Sequence, residues 1–168
     1  MQTDSQEIVV EIFEFLSSDF GLQGPVKSNI AYENHLTYSG DKYQIDFSDE
    51  GSWDFPYITI RNKKENYVPL PDDWFEPEGL QTVIANDFRK QRTLKWLSQI
   101  DRKTLDSSNY PLTKEVIGNE DDSFKSRGRK IVVIYLLLVA EILKTHKEEI
   151  PSQLENPILK RIKNYLQQ

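Results

Sequence analysis

The 168-residue chain contains no cysteine, which excludes disulfides, thiolate nucleophiles and cysteine-bound zinc. That absence fits a reducing compartment and points to the cytoplasm. Only two histidines occur, His35 and His146, in distant segments and without the His-x-x-x-His or His-Glu-x-x-His spacing of metal sites. Gly21, Gly24, Gly40 and Gly51 are scattered turn residues, so there is no glycine-rich loop to cradle a phosphate. A Ser-His-Asp order with a glycine elbow is also missing. The longest apolar run, Ile131 to Ala140, is ten residues long and stops at Glu141. A membrane span needs about 20, so the run reads as a buried core helix. The opening Met-Gln-Thr-Asp-Ser-Gln-Glu has neither the basic start nor the apolar stretch of a signal peptide.

What the chain does have is charge, unevenly spread. Residues 1–87 carry 17 Asp+Glu against 5 Lys+Arg, and residues 88–168 carry 10 against 16. The net −6 therefore conceals an acidic half and a basic half, able to steer partners of opposite sign or to pair with each other within one fold. Hydrophobic residues at 38% suffice for a real core.

Periodicity then predicts the elements. Ile8, Val9, Ile12, Phe13, Phe15 and Leu16 recur at helical spacing, with Thr3 or Ser5 as cap and Gln6 closing a capping box with Thr3. Phe20 is expected to fold back onto the core. Strands follow: Leu36 to Tyr38, a Ser39-Gly40-Asp41 turn, Lys42 to Ser48, then Tyr57 to Arg61 and a short Tyr67-Val68. Residues 70–79 form a proline-rich acidic loop. Helical stripes run through residues 80–100, Leu112 to Ile117, Gly128 to His146, and a last helix opened by Asn156-Pro157. The order implies one α+β domain over residues 1–168. An N-terminal helix and an antiparallel meander of three or four strands occupy 1–70, and a helical group at 80–168 packs against them.

Three clusters invite a functional reading. The first is acidic with interleaved aromatics: Asp46, Asp49, Glu50, Trp53 and Asp54 around one turn, then Asp72, Asp73, Trp74, Phe75 and Glu76 in the loop after the meander. Carboxylates steer a basic partner and aromatics supply contact area. The competing reading is a solvated loop whose tryptophans tuck into the core. Calcium is the sharper alternative, but the Asp-x-Asp-x-Asp pattern with its glycine is missing. The second is basic: Arg89, Lys90, Arg92 and Lys95 beside Phe88 and Trp96, and Lys125 to Lys130 ahead of the apolar helix. These suit nucleic acid or an anion at a helix N-terminus, yet the net negative charge disfavours phosphate binding, and internal pairing accounts for them as well. The third is the histidines: His146 reads as a favourable charge at a helix C-terminus, and His35 as a structural strand residue.

The opening helix ending in Asp19-Phe20-Gly21-Leu22, then Tyr32-Glu33-Asn34-His35-Leu36-Thr37-Tyr38, Tyr43-Gln44-Ile45-Asp46-Phe47 and Tyr57-Ile58-Thr59-Ile60, resembles the layout of small bacterial immunity proteins that neutralise polymorphic or contact-dependent toxins. The resemblance covers under half the chain. It implies a compact, acidic protein without catalytic motifs that binds a toxin domain tightly; joined to the acidic, aromatic cluster, it gives the expectation of a non-enzymatic binder that occludes a basic toxin surface, with no cofactor or metal. The alternatives are a small enzyme using carboxylates such as Asp46 and Asp54, and an adaptor binding through the basic helices.

Overall fold

The computed structural model describes residues 3–63, 67–71, 74, 110–154 and 165–167. The predicted stripes at residues 80–100 and the helix opened by Asn156-Pro157 lie outside these residues, apart from a helical end at Tyr165 and Leu166.

The opening helical run is broken into α1 (Ser5–Ile12) and α2 (Phe15–Ser18). Asp4 caps α1, not Thr3 or Ser5. Its carboxylate accepts from the Gln6 amide at 3.3 Å, and Glu7 Oε2 accepts the Asp4 amide proton at 2.9 Å. Asp4 is the stronger cap because its carboxylate also opposes the partial positive charge of the helix N-terminus. Phe20 does return to the core, edge-on to Phe15 at 5.3 Å.

The sheet has five antiparallel strands in sequential order: β1 (Gln23–Ile30), β2 (Glu33–Ser39), β3 (Tyr43–Asp49), β4 (Tyr57–Asn62) and β5 (Val68–Pro69). The sequence pattern misses β1, because this edge strand lies against solvent and carries no apolar alternation. It bears the devices that protect an edge from further pairing: Pro25, Lys27 and a register shift between Gln23 and Val26. A glycine is required at Gly24, where φ is +130° and an added Cβ would lie 2.6 Å from the Thr37 carbonyl oxygen. The β1–β2 turn, Ala31-Tyr32, has both residues at positive φ, as a two-residue hairpin demands.

Register divides the sheet cleanly. Leu36, Phe47 and Ile58 form one cross-strand row, and Tyr38, Ile45 and Ile60 the next. All six are buried on the face covered by helices. Phe13 reaches over from α1 to Phe47 at 4.5 Å between ring centroids. The apolar helix begins earlier than its pattern suggests, as α4 (Phe124–Thr145), because Ser123 caps it by accepting the Ser126 amide proton at 3.2 Å. It buries Val132, Val133, Tyr135, Leu136, Val139 and Leu143 in the same core. Each such side chain is worth roughly 1.5–3 kcal/mol of burial. Tyr135 also meets Phe55 edge-on at 5.3 Å.

Helix α3 (Pro111–Gly118) has no cap from its own N-cap residue, Tyr110. Glu11 of α1 supplies one. Its two carboxylate oxygens accept from the Leu112 amide at 2.9 Å and from the Thr113 amide and hydroxyl at 2.7 Å each. A residue in the first turns of the chain thus satisfies donors about a hundred positions later and ties the two halves together.

Candidate functional site

The second face of the sheet points away from that core, and strand alternation decides what it carries. His35 pairs with Ser28 on β1 and Ser48 on β3, and Ser48 with Tyr57 on β4. The neighbouring row runs Val26, Thr37, Asp46, Thr59 and Pro69. His35, Ser48 and Tyr57 of the first row and Asp46 and Thr59 of the second floor a hollow of about 650 Å³, walled by the β3–β4 turn and by Tyr67.

Five carboxylates line the hollow, from Glu33, Asp46, Asp49, Glu50 and Asp54, and no lysine or arginine is among its described lining residues. Four of the ten residues singled out from the sequence thus converge here: Asp46, Asp49, Glu50 and Asp54. Trp53 does not join them. With φ at +67° it turns to the other side, its amide donates to Ser5 Oγ at 2.9 Å, and the Arg129 guanidinium covers its ring at 5.1 Å. Trp74 is buried, 7% exposed, and stacks parallel on His146 at 4.5 Å. Its indole belongs to the core, as the tucked-in reading of that loop expects. Asp72, Asp73, Phe75 and Glu76 lie outside the described residues.

Asp46 is 2% exposed although it stands on the outward face. Both its oxygens are occupied: the Thr37 hydroxyl donates to Oδ1 at 2.7 Å, and His35 Nδ1 lies 2.8 Å from Oδ2. The other ring nitrogen of His35, Nε2, lies 3.4 Å from Glu33 Oε2. Histidine spacing in the sequence gave no reason to join His35 to Asp46. The signal was the hairpin register, which sets Thr37 opposite Asp46 and His35 diagonal to it.

Asn29 donates to Asn34 at 3.2 Å, and Asn34 to Asp49 Oδ1 at 3.1 Å. Burial pushes the Asp49 carboxyl above the usual carboxylate range; the Asn34 hydrogen bond opposes this, the charges of Asp54 and Asp4 add to it, and that of His35 opposes it. Among the described residues no group of three or more His, Asp and Glu side chains is arranged to hold a metal ion.

Exposed apolar side chains gather around the acid floor, and the Arg61 guanidinium covers the Tyr67 ring at 5.0 Å. Val26 and Ile30 project from β1 onto the same face as His35, Tyr57 and Tyr67 stand on the far side, and Tyr32 at the hairpin tip is 93% exposed. These are five of the eight large apolar side chains exposed among the described residues, so exposed apolar surface concentrates at this face and its rim.

The basic half behaves differently. Lys147 Nζ donates to the Asp19 carbonyl at 3.1 Å, Lys144 and Lys147 sit over Phe15 and Phe20 at 4.7 and 5.3 Å, and Arg127 pairs with Asp122 at 3.2 Å. Among the described residues it meets the acidic half through three cations on aromatic rings and an ion pair of Lys147 with Asp19 at 3.4 Å. Residues 88–96 lie outside the described residues. His146 is the C-cap of α4, with Nδ1 3.0 Å from Glu149 Oε1. Among the described residues no helix is long and apolar enough to cross a membrane. Compared with family models, curated proteins and solved structures, the chain matches none.

Proposed function

We propose that the chain is a protein-binding module that takes a basic partner onto the outward face of its sheet. The observation that carries the reading is the hollow lined by five carboxylates together with half-exposed Tyr57 and Tyr67, with exposed Val26 and Ile30 on the same face of the sheet. A single exposed ion pair is worth only about 0.2–1 kcal/mol. Several carboxylates around one concavity act together on the encounter rate, while the apolar rim supplies contact area. The partner is a basic protein surface met in the cytoplasm. Following the resemblance to immunity proteins read from the sequence, the finer proposal is a toxin domain whose basic surface is occluded. The proposed surface keeps Asp46, Asp49, Glu50 and Asp54 of the acidic cluster and leaves out Trp53 and Trp74.

The test is calorimetric titration of a hexa-arginine peptide at low and moderate salt. Wild-type protein should bind, and binding should weaken steeply with salt. The Asp49→Asn, Glu50→Gln, Asp54→Asn triple variant should lose most of the affinity. Equal affinity in the two proteins would reject the reading.

A carboxylate-dependent enzyme is the second reading, favoured by one observation: Asp46 and Asp54 line the same hollow as a histidine. Against it, both oxygens of Asp46 are already engaged by Thr37 and His35, which suits a positioning group better than a group that attacks or shuttles protons.

A further inference from the structure

Among the described residues β1 has one neighbour, β2, and its other edge is open. The hairpin fixes which backbone groups face that edge. In a two-residue hairpin the flanking pair, here Ile30 and Glu33, exchanges both backbone hydrogen bonds. Antiparallel pairs alternate, so Ser28 and Val26 also bond to β2, and the N–H and C=O groups of Lys27 and Asn29 point to the open edge. Pro25 and the register shift before Val26 close the edge at one end, and the Ala31-Tyr32 turn closes it at the other. Between them Val26 to Ile30 is exposed along its whole length. Val26 and Ile30 are 62% and 60% exposed, on the outward face.

We infer that this edge pairs with a second copy of the chain, β1 against β1, antiparallel and centred on Ser28. Three centres let the open groups of Lys27 and Asn29 bond across the edge. Centring on Lys27 sets the two lysines face to face, where like charges destabilise. Centring on Asn29 sets Ile30 against Ser28 and Lys27 against the turn. Centring on Ser28 sets Lys27 against Asn29 and Val26 against Ile30 of the second copy. The Lys27–Asn29 pairs then carry the backbone hydrogen bonds. The Val26–Ile30 pairs are the closer, non-hydrogen-bonded kind, with Cα atoms about 4.5 Å apart, so the exposed apolar side chains cover one another. Pro25, which has no N–H to give, falls opposite Ala31, past the end of the ladder. Asn29 Nδ2 already donates to Asn34 at 3.2 Å, which leaves Oδ1 to accept from Lys27 of the second copy. The two-fold axis stands perpendicular to the sheet, so both acid hollows open on the same side. Nothing in this pairing depends on the basic-partner reading. One strand pair buries little area, so the dimer is weak and reversible. Each copy carries a net −6, so salt should strengthen the dimer, the opposite of its effect on a basic peptide.

The test is sedimentation velocity of the full chain from about 10 μM to about 1 mM, a range that spans the dissociation of a small interface. Wild type should pass reversibly from monomer to dimer. Lys27→Pro removes an N–H that β2 does not use, so it should keep the fold and lower the association constant about tenfold or more. The Val26→Thr, Ile30→Thr double variant keeps β-branched side chains and strips apolar surface. It should weaken the dimer as well, and it serves if Lys27→Pro does not fold. Amide hydrogen exchange in wild type reads the register directly. Lys27 and Asn29 should exchange fast in dilute protein and slow as the dimer forms, while Val26, Ser28 and Ile30 are protected throughout. A monomer at every concentration overturns the inference. So does a dimer that the folded variants leave unchanged, or one in which Lys27 and Asn29 stay open to exchange. Protection of those two amides that appears only with the hexa-arginine peptide assigns the edge to the basic partner and overturns the second copy. Peptide affinity at the hollow is a separate measurement, so the two proposals fail separately.

Discussion

Asp46 and His35 meet diagonally at 2.8 Å on the sheet face opposite the hydrophobic core, and Thr37, directly opposite Asp46 in the register, occupies its other oxygen. An Asp46 side chain exposed to only 2% is then satisfied on both oxygens. Removing it strands two donors. Asp46→Ala should cost about 1–3 kcal/mol, the penalty for leaving buried polar partners unpaired. Thr37→Val, which removes one donor and keeps the volume, should cost less. Urea unfolding of the two variants checks the order.

Asp49 gives a pH prediction with a definite sign. Its folded-state carboxyl titrates above the ordinary range, mainly through burial. The folded state therefore holds the proton more tightly than the unfolded state, and ionisation of Asp49 costs stability as pH rises through that window. Asp49→Asn keeps an acceptor for Asn34 and removes the charge. It should be more stable than wild type at neutral pH, with the advantage vanishing as pH falls below the ordinary carboxylate value of about 3.9. Thermal melts at several pH values decide it; an advantage that persists unchanged in acid would contradict the account.

Glu11 tests how the halves are joined. Three donors at the start of α3 converge on its carboxylate. Glu11→Ala should destabilise by about 1–2 kcal/mol, at the upper end of helix-cap losses, because more than one bond is removed. Hydrogen exchange should rise at Leu112 and Thr113 before it rises in β3.

Much of this arrangement was readable beforehand, and the parts that were not have physical reasons. Alternation in Tyr43, Ile45 and Phe47 located β3 because a half-buried strand must alternate. The apolar run at Ile131 to Ala140 located α4 because its burial is nearly all round. β1 left no such trace, since neither of its faces is buried. The acidic turn residues were found by composition, yet their floor was not: a polar pair such as His35 and Asp46 has no periodicity, and only pairing register brings it together. Trp53 and Trp74 looked alike in sequence as aromatics among acids. Trp53 is claimed by Arg129, and Trp74 by His146.

That division makes Trp74 a stability residue. Its indole is 7% exposed, and Trp74→Ala should cost about 3–5 kcal/mol, as large core truncations do. Tyr57→Ala on the outward face, where the ring is half exposed, should cost far less in thermal unfolding while weakening peptide binding.

The central claim is that the outward sheet face is where a basic partner sits, and amide chemical-shift mapping during titration with the hexa-arginine peptide tests it most directly. Shifts confined to the segments around Glu33, His35, Asp49, Asp54 and Tyr57 are the expected result. Shifts centred elsewhere, or none at saturating peptide, would contradict the account.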